Sequence, residues 1–359
     1  MNLAAAGTSG TVTATFSASA ANLANLSTDI SNEPLTITIT DNISVSAFET
    51  LDARTSQSLT FTTGLSDTIA NLTGSASNAT ASSGVVDAIA DDADLTITVS
   101  GTVTTDINRV ANLAGTGGFT GGVVATVEST SGAMSHNNWS ALSEAADNLT
   151  ITVTNAGSVD QLNTIAGRTS AANITLDSTI TDDLYNFIQT ADNTSNTTKF
   201  AKVLSHTTNE PIVLNAYTVT SNTNVTAINA LLAAAEAGVT GTITDNNGSE
   251  LLNTTVDLTT TTDDTITVDV GTLDPSAANL AELKKLSDQA GITRINGNMT
   301  ISAADIDTIS GYGNLTTTNN YINFTLDNSV TVAQASTLAG KTSGTVAYDA
   351  GISDSLSAF

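Results

Sequence analysis

The chain has 359 residues, 40% of them hydrophobic and only 4% aromatic, so the core it builds must be aliphatic and laid down in thin layers. Its 35 acidic residues against 9 basic ones leave a net charge of −26. That balance argues against nucleic acid as a partner, because neutralising phosphates takes clustered Lys and Arg, and it disfavours anionic membrane surfaces. There is no cysteine and no apolar run long enough to span a membrane, a profile that leans towards large exported bacterial proteins.

Taken from the N-terminus, the chain opens on Leu3-Ala4-Ala5-Ala6-Gly7-Thr8-Ser9-Gly10-Thr11-Val12, which returns near the end as Leu338-Ala339-Gly340-Lys341-Thr342-Ser343-Gly344-Thr345-Val346. Looser copies stand at Leu51-Asp52-Ala53-Arg54-Thr55-Ser56, Leu113-Ala114-Gly115-Thr116-Gly117 and Ile165-Ala166-Gly167-Arg168-Thr169-Ser170. Recurrence of this kind points to one small supersecondary unit used many times. Met1-Asn2 leads straight into a repeat, so no signal peptide is expected. The chain reads as a single continuous array over 1–359, cut from a longer one.

Strands are predicted at 11–16, 35–40, 58–62, 95–99, 123–127, 149–154, 174–176, 212–219, 239–244, 265–270, 321–326 and 345–348. The most regular, such as Leu35-Thr36-Ile37-Thr38-Ile39-Thr40, alternate aliphatic residues with Thr, the period-two signature of a strand with one buried face. Between them come helical spacings: Val103, Ile107, Val110 and Leu113; Val159, Leu162 and Ile165; Val225, Ile228, Leu231 and Leu232. A helix is predicted at 277–289 behind Asp274-Pro275, and another at Val330, Val332, Ala335 and Leu338 with Asp327 or Asn328 as its cap. Gly115, Gly167, Gly238, Gly291 and Gly340 mark the stops. Strand starts recur about every 24–29 residues, with irregular insertions near 72–94 and 180–211.

Consecutive strands joined by helices must run parallel. The expected fold is therefore an α/β repeat: a parallel β-solenoid with short helices between strands, in leucine-rich-repeat-like coils. Strands stack at about 4.8 Å while helices need about 10 Å, so the array should curve unless its helices shorten to single turns.

A second repeated string, Ile352-Ser353-Asp354-Ser355-Leu356, is echoed by Leu65-Ser66-Asp67-Thr68-Ile69 and Ile180-Thr181-Asp182-Asp183-Leu184, and its Asp reads as capping chemistry. Together with Val330-Thr331-Val332-Ala333-Gln334-Ala335-Ser336-Thr337-Leu338-Ala339-Gly340, this string resembles modules of very large repetitive bacterial surface proteins, the adhesin-, S-layer- and haemolysin-like proteins of marine bacteria. The resemblance implies secretion, calcium-rich surroundings and a structural or adhesive role. The chain departs from the glycine–aspartate nonapeptide of calcium-roll proteins, since it has no G-G-x-G-x-D run.

Candidate chemistry is sparse. Asp91, Asp92 and Asp94, with Asp263 and Asp264, are the densest carboxylates ahead of strands, and calcium is the cation they would suit. The plainer reading makes them Asp-rich turns. His136 and His206 are the only histidines, and no G-x-S-x-G elbow accompanies them, so no catalytic residue is expected. The Thr rows at Thr36/Thr38, Thr96/Thr98, Thr150/Thr152 and Thr265/Thr267 would make hydroxyl ladders like those of ice-binding proteins, although Thr is also the natural polar residue for an open strand face. Trp139 and Tyr321 read as scattered aromatics, so no sugar-stacking platform, which needs several together, is expected. The expected function is an extracellular structural protein, a filament, surface layer or adhesin stalk. Its partners would be copies of itself and cell-surface polysaccharide, with no nucleic acid and no membrane span. A phage tail-fibre or receptor-binding module is the alternative, with an ice-binding or carbohydrate-active solenoid behind it.

Overall fold

The computed structural model describes residues 11, 13–26, 33–170, 174–188, 195–207, 210–246, 250–251 and 256–355. The N-terminal repeat copy, Thr11 apart, and Leu356 of the last copy lie outside the described residues.

The strands form three open sheets. The first has three strands, β1 (Ala14–Ala18), β2 (Leu35–Ile39) and β3 (Thr60–Phe61). The second has five: β4 (Gly64–Thr68), β5 (Thr96–Val103), β6 (Val123–Ser129), β7 (Asn148–Val153) and β8 (Ile174–Leu176). The third has seven: β9 (Ile180–Asp182), β10 (Ile212–Thr218), β11 (Val239–Thr244), β12 (Thr265–Leu273), β13 (Ile292–Ile301), β14 (Asn320–Leu326) and β15 (Val346–Ala347). Every pairing is parallel, and within each sheet the strands follow chain order.

The connections carry α1 (Ala20–Leu23), α2 (Val45–Asp52), α3 (Ile69–Thr73), α4 (Ser83–Asp91), α5 (Asn108–Ala114), α6 (Ser131–Met134) and α7 (Val159–Ala166). They continue with α8 (Leu184–Phe187), α9 (Ser195–His206), α10 (Asn222–Ala234), α11 (Ala277–Asp288), α12 (Ala303–Ser310) and α13 (Val332–Ala339). None of the described helices is long and apolar enough to cross a membrane.

The chain divides into two compact units. The first comprises Met1–Ala156, Gln161–Asp177 and Ser205–Thr208, and the second Gly157–Asp160, Ser178–Leu204 and Asn209–Phe359.

This architecture corrects the expected β-solenoid. The strands are shared among three separate parallel sheets, none of them closed or curled, and the arrangement reads as a Rossmann-like α/β sandwich. Two local causes are visible. Helices α1 and α6 are only four residues long and α3 only five, so the helical side of the first two sheets adds little bulk at these connections. Then, two residues after β3 ends, the chain begins β4 in a different sheet at Gly64, whose φ is +147°. A Cβ there would lie 1.8 Å from the Thr96 carbonyl oxygen, so only glycine lets β4 start against β5.

Apart from the edge strands β1 and β15, which hold no fully buried residue, the strands bury one face. β2 buries Leu35, Ile37 and Ile39, β7 buries Leu149, Ile151 and Val153, and β14 buries Ile322, Phe324 and Leu326, all at 1% exposure or less. Helices cover these rows with residues at helical spacing, as α2 does with Val45, Phe48 and Leu51. In the first unit Phe48 meets Phe61 at 5.9 Å between ring centroids, and Trp139 is fully enclosed. Phe187 and Phe200 pack edge-to-face at 5.2 Å in the second.

Strand β13 has no counterpart among the sequence expectations. Arg294, Asn296, Gly297 and Asn298 dilute its apolar signal, and a register shift opposite Ile266/Thr267 breaks the alternation between Ile292 and Ile295. The cap of α11 is also displaced from Asp274-Pro275: Ser276 Oγ accepts from Asn279 N–H at 3.3 Å, and Asp274 offers only its carbonyl, to Asn279 Nδ2.

Candidate functional site: interlocking caps and a polar sheet face

Three of the five carboxylates singled out from sequence, Asp91, Asp92 and Asp264, accept from backbone N–H groups. Asp91 Oδ2 accepts from Leu59 N–H at 3.0 Å, and Asp92 Oδ2 accepts from Phe61 N–H at 2.8 Å. Asp94 is exposed and hydrogen-bonded to Asp92. Burial, then that bond to Asp94, push the Asp92 carboxyl above the usual range. Asp264 is 3% exposed and saturated: Oδ1 accepts from Val239 N–H at 2.8 Å, and Oδ2 accepts from Thr261 N–H and Oγ1 at 2.7 and 3.0 Å. Its neighbour Asp263 is exposed. Among the described residues no group of three or more His, Cys, Asp or Glu side chains is placed to hold a metal ion.

Asp147 has the same role as Asp264. Its Oδ1 accepts from Val123 N–H at 2.8 Å and its Oδ2 from Ser143 N–H at 2.7 Å, with the side chain 3% exposed. In both cases an Asp just before one strand satisfies the first N–H of the strand before it. Burial outweighs these two donors and pushes the Asp147 carboxyl upward.

A second and more extensive set closes helices. The first N–H of α1, at Ala20, donates to Asp41 at 2.6 Å, and that of α2, at Val45, donates to Asp67 at 3.2 Å. Ser131 of α6 donates to Asn155 at 2.8 Å, and Val159 of α7 to Asp182 at 2.9 Å. Ala303 of α12 donates to Asn328 at 2.9 Å, and Val332 of α13 to Asp354 at 3.1 Å. In all six the acceptor belongs to the next strand–helix unit, 21 to 25 residues downstream. The repeated Ser/Thr-Asp string is thus a cap for the preceding helix. Three of these helices also carry a hydroxyl N-cap of their own, Ser44, Thr130 and Thr331, the last in a capping box with Gln334. Asn328, expected to cap α13, caps α12.

The Arg/Lys-Thr string is used in the same backward sense. Thr55, Thr169 and Thr342 donate their hydroxyls to the carbonyls of Leu35, Leu149 and Ile322, each at 2.7 Å. The adjacent cations reach further back, Arg54 to the Leu26 carbonyl, Arg168 to Leu142 and Lys341 to Tyr312. Arg109, 6% exposed, does likewise with Thr73 Oγ1 and the carbonyls of Ile69 and Gly74. Four of the nine basic residues are therefore spent on carbonyls inside the fold.

The histidines take different positions. His136 is exposed, with Nδ1 accepting from Asn138 N–H at 3.4 Å. His206 is 2% exposed, its Nδ1 3.0 Å from Ser205 Oγ and its Nε2 3.5 Å from Glu144 Oε1. Ser205 and His206 close the last turn of α9, where the imidazole is sealed from solvent.

Because strand order never reverses within a sheet, the crevice that binds ligands in doubly wound folds does not arise at the strand ends. The open face of the seven-stranded sheet is more distinctive. On β12, β13 and β14 the register sets Asp269, Asn296 and Tyr321 in one row, with Asn298 beside Asn323 in the next. They line a shallow hollow of about 440 Å³ together with Arg294, Gly297 and Thr345. The Arg294 guanidinium lies 3.9 Å from the centre of the Tyr321 ring, and its Nε donates to Asn296 Oδ1 at 2.8 Å. Asn323 Nδ2 donates to Asn298 Oδ1 at 3.0 Å and in turn accepts from Thr345. Sequence reading missed this constellation because it missed β13. The signal present was Arg294-x-Asn296-x-Asn298-x-Thr300, a period-two polar row. Comparison of the chain with family models, with curated proteins and with solved structures gives no match.

Proposed function

We propose that the chain is a structural segment of a repetitive extracellular surface protein, a filament, surface layer or adhesin stalk, that works by self-association. The observation that carries this reading is the sixfold recurrence of a cap supplied by the following unit. Such a device ties neighbours along the chain and leaves the outer surface acidic. Side chains that elsewhere serve chemistry are spent here on backbone groups, and Asp91, Asp92, Asp147 and Asp264 are examples. Parallel sheets with open edge strands, β1 in the first and β15 in the third, offer a route to lateral pairing between copies. Calcium enters as the diffuse counter-ion of a surface carrying −26 charges. Sedimentation velocity and electron microscopy over rising protein concentration, at low and high salt and with millimolar calcium, test it. The expected outcome is reversible, salt-promoted association into regular oligomers. A chain that stays monomeric under all these conditions overturns the reading.

A further inference from the structure

We propose that the polar face of β12–β14 is a binding site for a neutral polysaccharide chain. Only some of the polar atoms on this solvent-facing surface are used within the fold. Among the described residues, no protein group meets the two terminal nitrogens of Arg294, Asp269 Oδ2, the amide nitrogens of Asn296 and Asn298, or the Tyr321 hydroxyl.

Donors and acceptors therefore stand side by side within one hollow. A sugar hydroxyl, which is both donor and acceptor, is the group that answers such a mixture. The geometry is held rather than adaptable. Arg294 is fixed by the Tyr321 ring on one side and Asn296 on the other, Asn298 is fixed by Asn323, and Asp269 Oδ1 accepts from Gly271 N–H at 3.0 Å. Ordering these side chains beforehand removes an entropy cost from binding.

The row Asp269–Asn296–Tyr321 crosses three strands at about 4.8 Å per strand, so an extended chain of pyranose rings can lie across the sheet with successive rings on successive strands. Gly297, whose added Cβ would stand 2.7 Å from Val270 Cγ2, lies between the two asparagines of β13 and faces the closed side of the sheet. Charge selects among glycans. One guanidinium beside one carboxylate gives a locally balanced face, whereas a polyuronate would approach a molecule with a net charge of −26.

Affinity electrophoresis and titration calorimetry of the whole chain should be run against soluble β-glucan, α-glucan, mannan and xylan, with polygalacturonate as the acidic comparison. At least one neutral polymer should be retained, and Arg294→Ala and Asn298→Ala, both at exposed positions, should each weaken it about tenfold without moving the melting temperature. Tyr321→Phe keeps the ring under Arg294 and should cost less. Retention by none of the neutral polymers, binding of polygalacturonate alone, or equal binding by both alanine variants overturns the proposal. The same variants should sediment as the parent does, which separates failure here from failure of the assembly reading.

Discussion

Asp147 illustrates how this chain uses its acidic residues. Buried at 3% exposure, it accepts from Val123 and Ser143 through different oxygens, a geometry that an amide can satisfy only in part. Burial nonetheless raises its pKa above the ordinary 3.8. A raised folded-state value means that its favourable contribution is complete below the ordinary pKa and is lost as pH climbs through the raised one. Asp147→Asn should cost about 1–3 kcal/mol at neutral pH, because the Asn amide would face a backbone N–H. The gap to the parent should widen on acidification towards pH 4, since only the parent titrates. Urea midpoints of both chains across that range check it; a gap that narrows or stays flat contradicts the assignment.

At the scale of elements, the caps supplied by the following unit decide how firmly each helix starts. Removing an N-cap acceptor typically costs about 1 kcal/mol. Asp67→Ala should destabilise the α2 start and Asp354→Ala the α13 start by about that much each, and the double variant should show the sum, because the two caps share no partner. Amide exchange at Val45 and Val332 would locate the loss, and protection unchanged at both sites would refute the role. This part of the fold was only half legible in the sequence. Alternation in Leu35-Thr36-Ile37-Thr38-Ile39 placed β2 correctly, and the Ser/Thr-Asp strings were recognisable as caps. Local capping logic looks three residues ahead, however, and so assigned Asp327 or Asn328 to α13, whereas Asn328 serves Ala303, 25 residues back. The hollow on the seven-stranded sheet was illegible for a related reason. Arg294, Asn296 and Asn298 sit on a strand whose bulge and glycine hide its period, and only pairing with β14 brings Tyr321 beside them. The break between the first and second sheets falls at Gly64, one residue whose φ no pattern of apolar residues reports.

For the whole molecule, electrostatics is dominated by uncompensated negative charge. Burial, followed by repulsion from Asp91 and Asp87, pushes the Asp52 carboxyl upward, a local sign of the same excess. The Debye length falls from about 30 Å at 0.01 M salt to about 8 Å at 0.15 M, so melting temperature should rise over that interval. Calcium and magnesium at equal ionic strength should stabilise equally if they act only as screening ions. A selective gain with micromolar calcium would instead assign a specific ion to the Asp91, Asp92 and Asp94 turn or to Asp263 and Asp264.

The placement of each cap in the following unit gives the polypeptide a direction. During synthesis a helix such as α2 emerges from the ribosome with its first amide unanswered, and it acquires its acceptor only after Asp67 has been translated. At these six helices each newly completed stretch thereby adds the acceptor that its predecessor's first amide lacks. Growth is vectorial, and pulling on the C-terminal side should undo these stretches one at a time in reverse order.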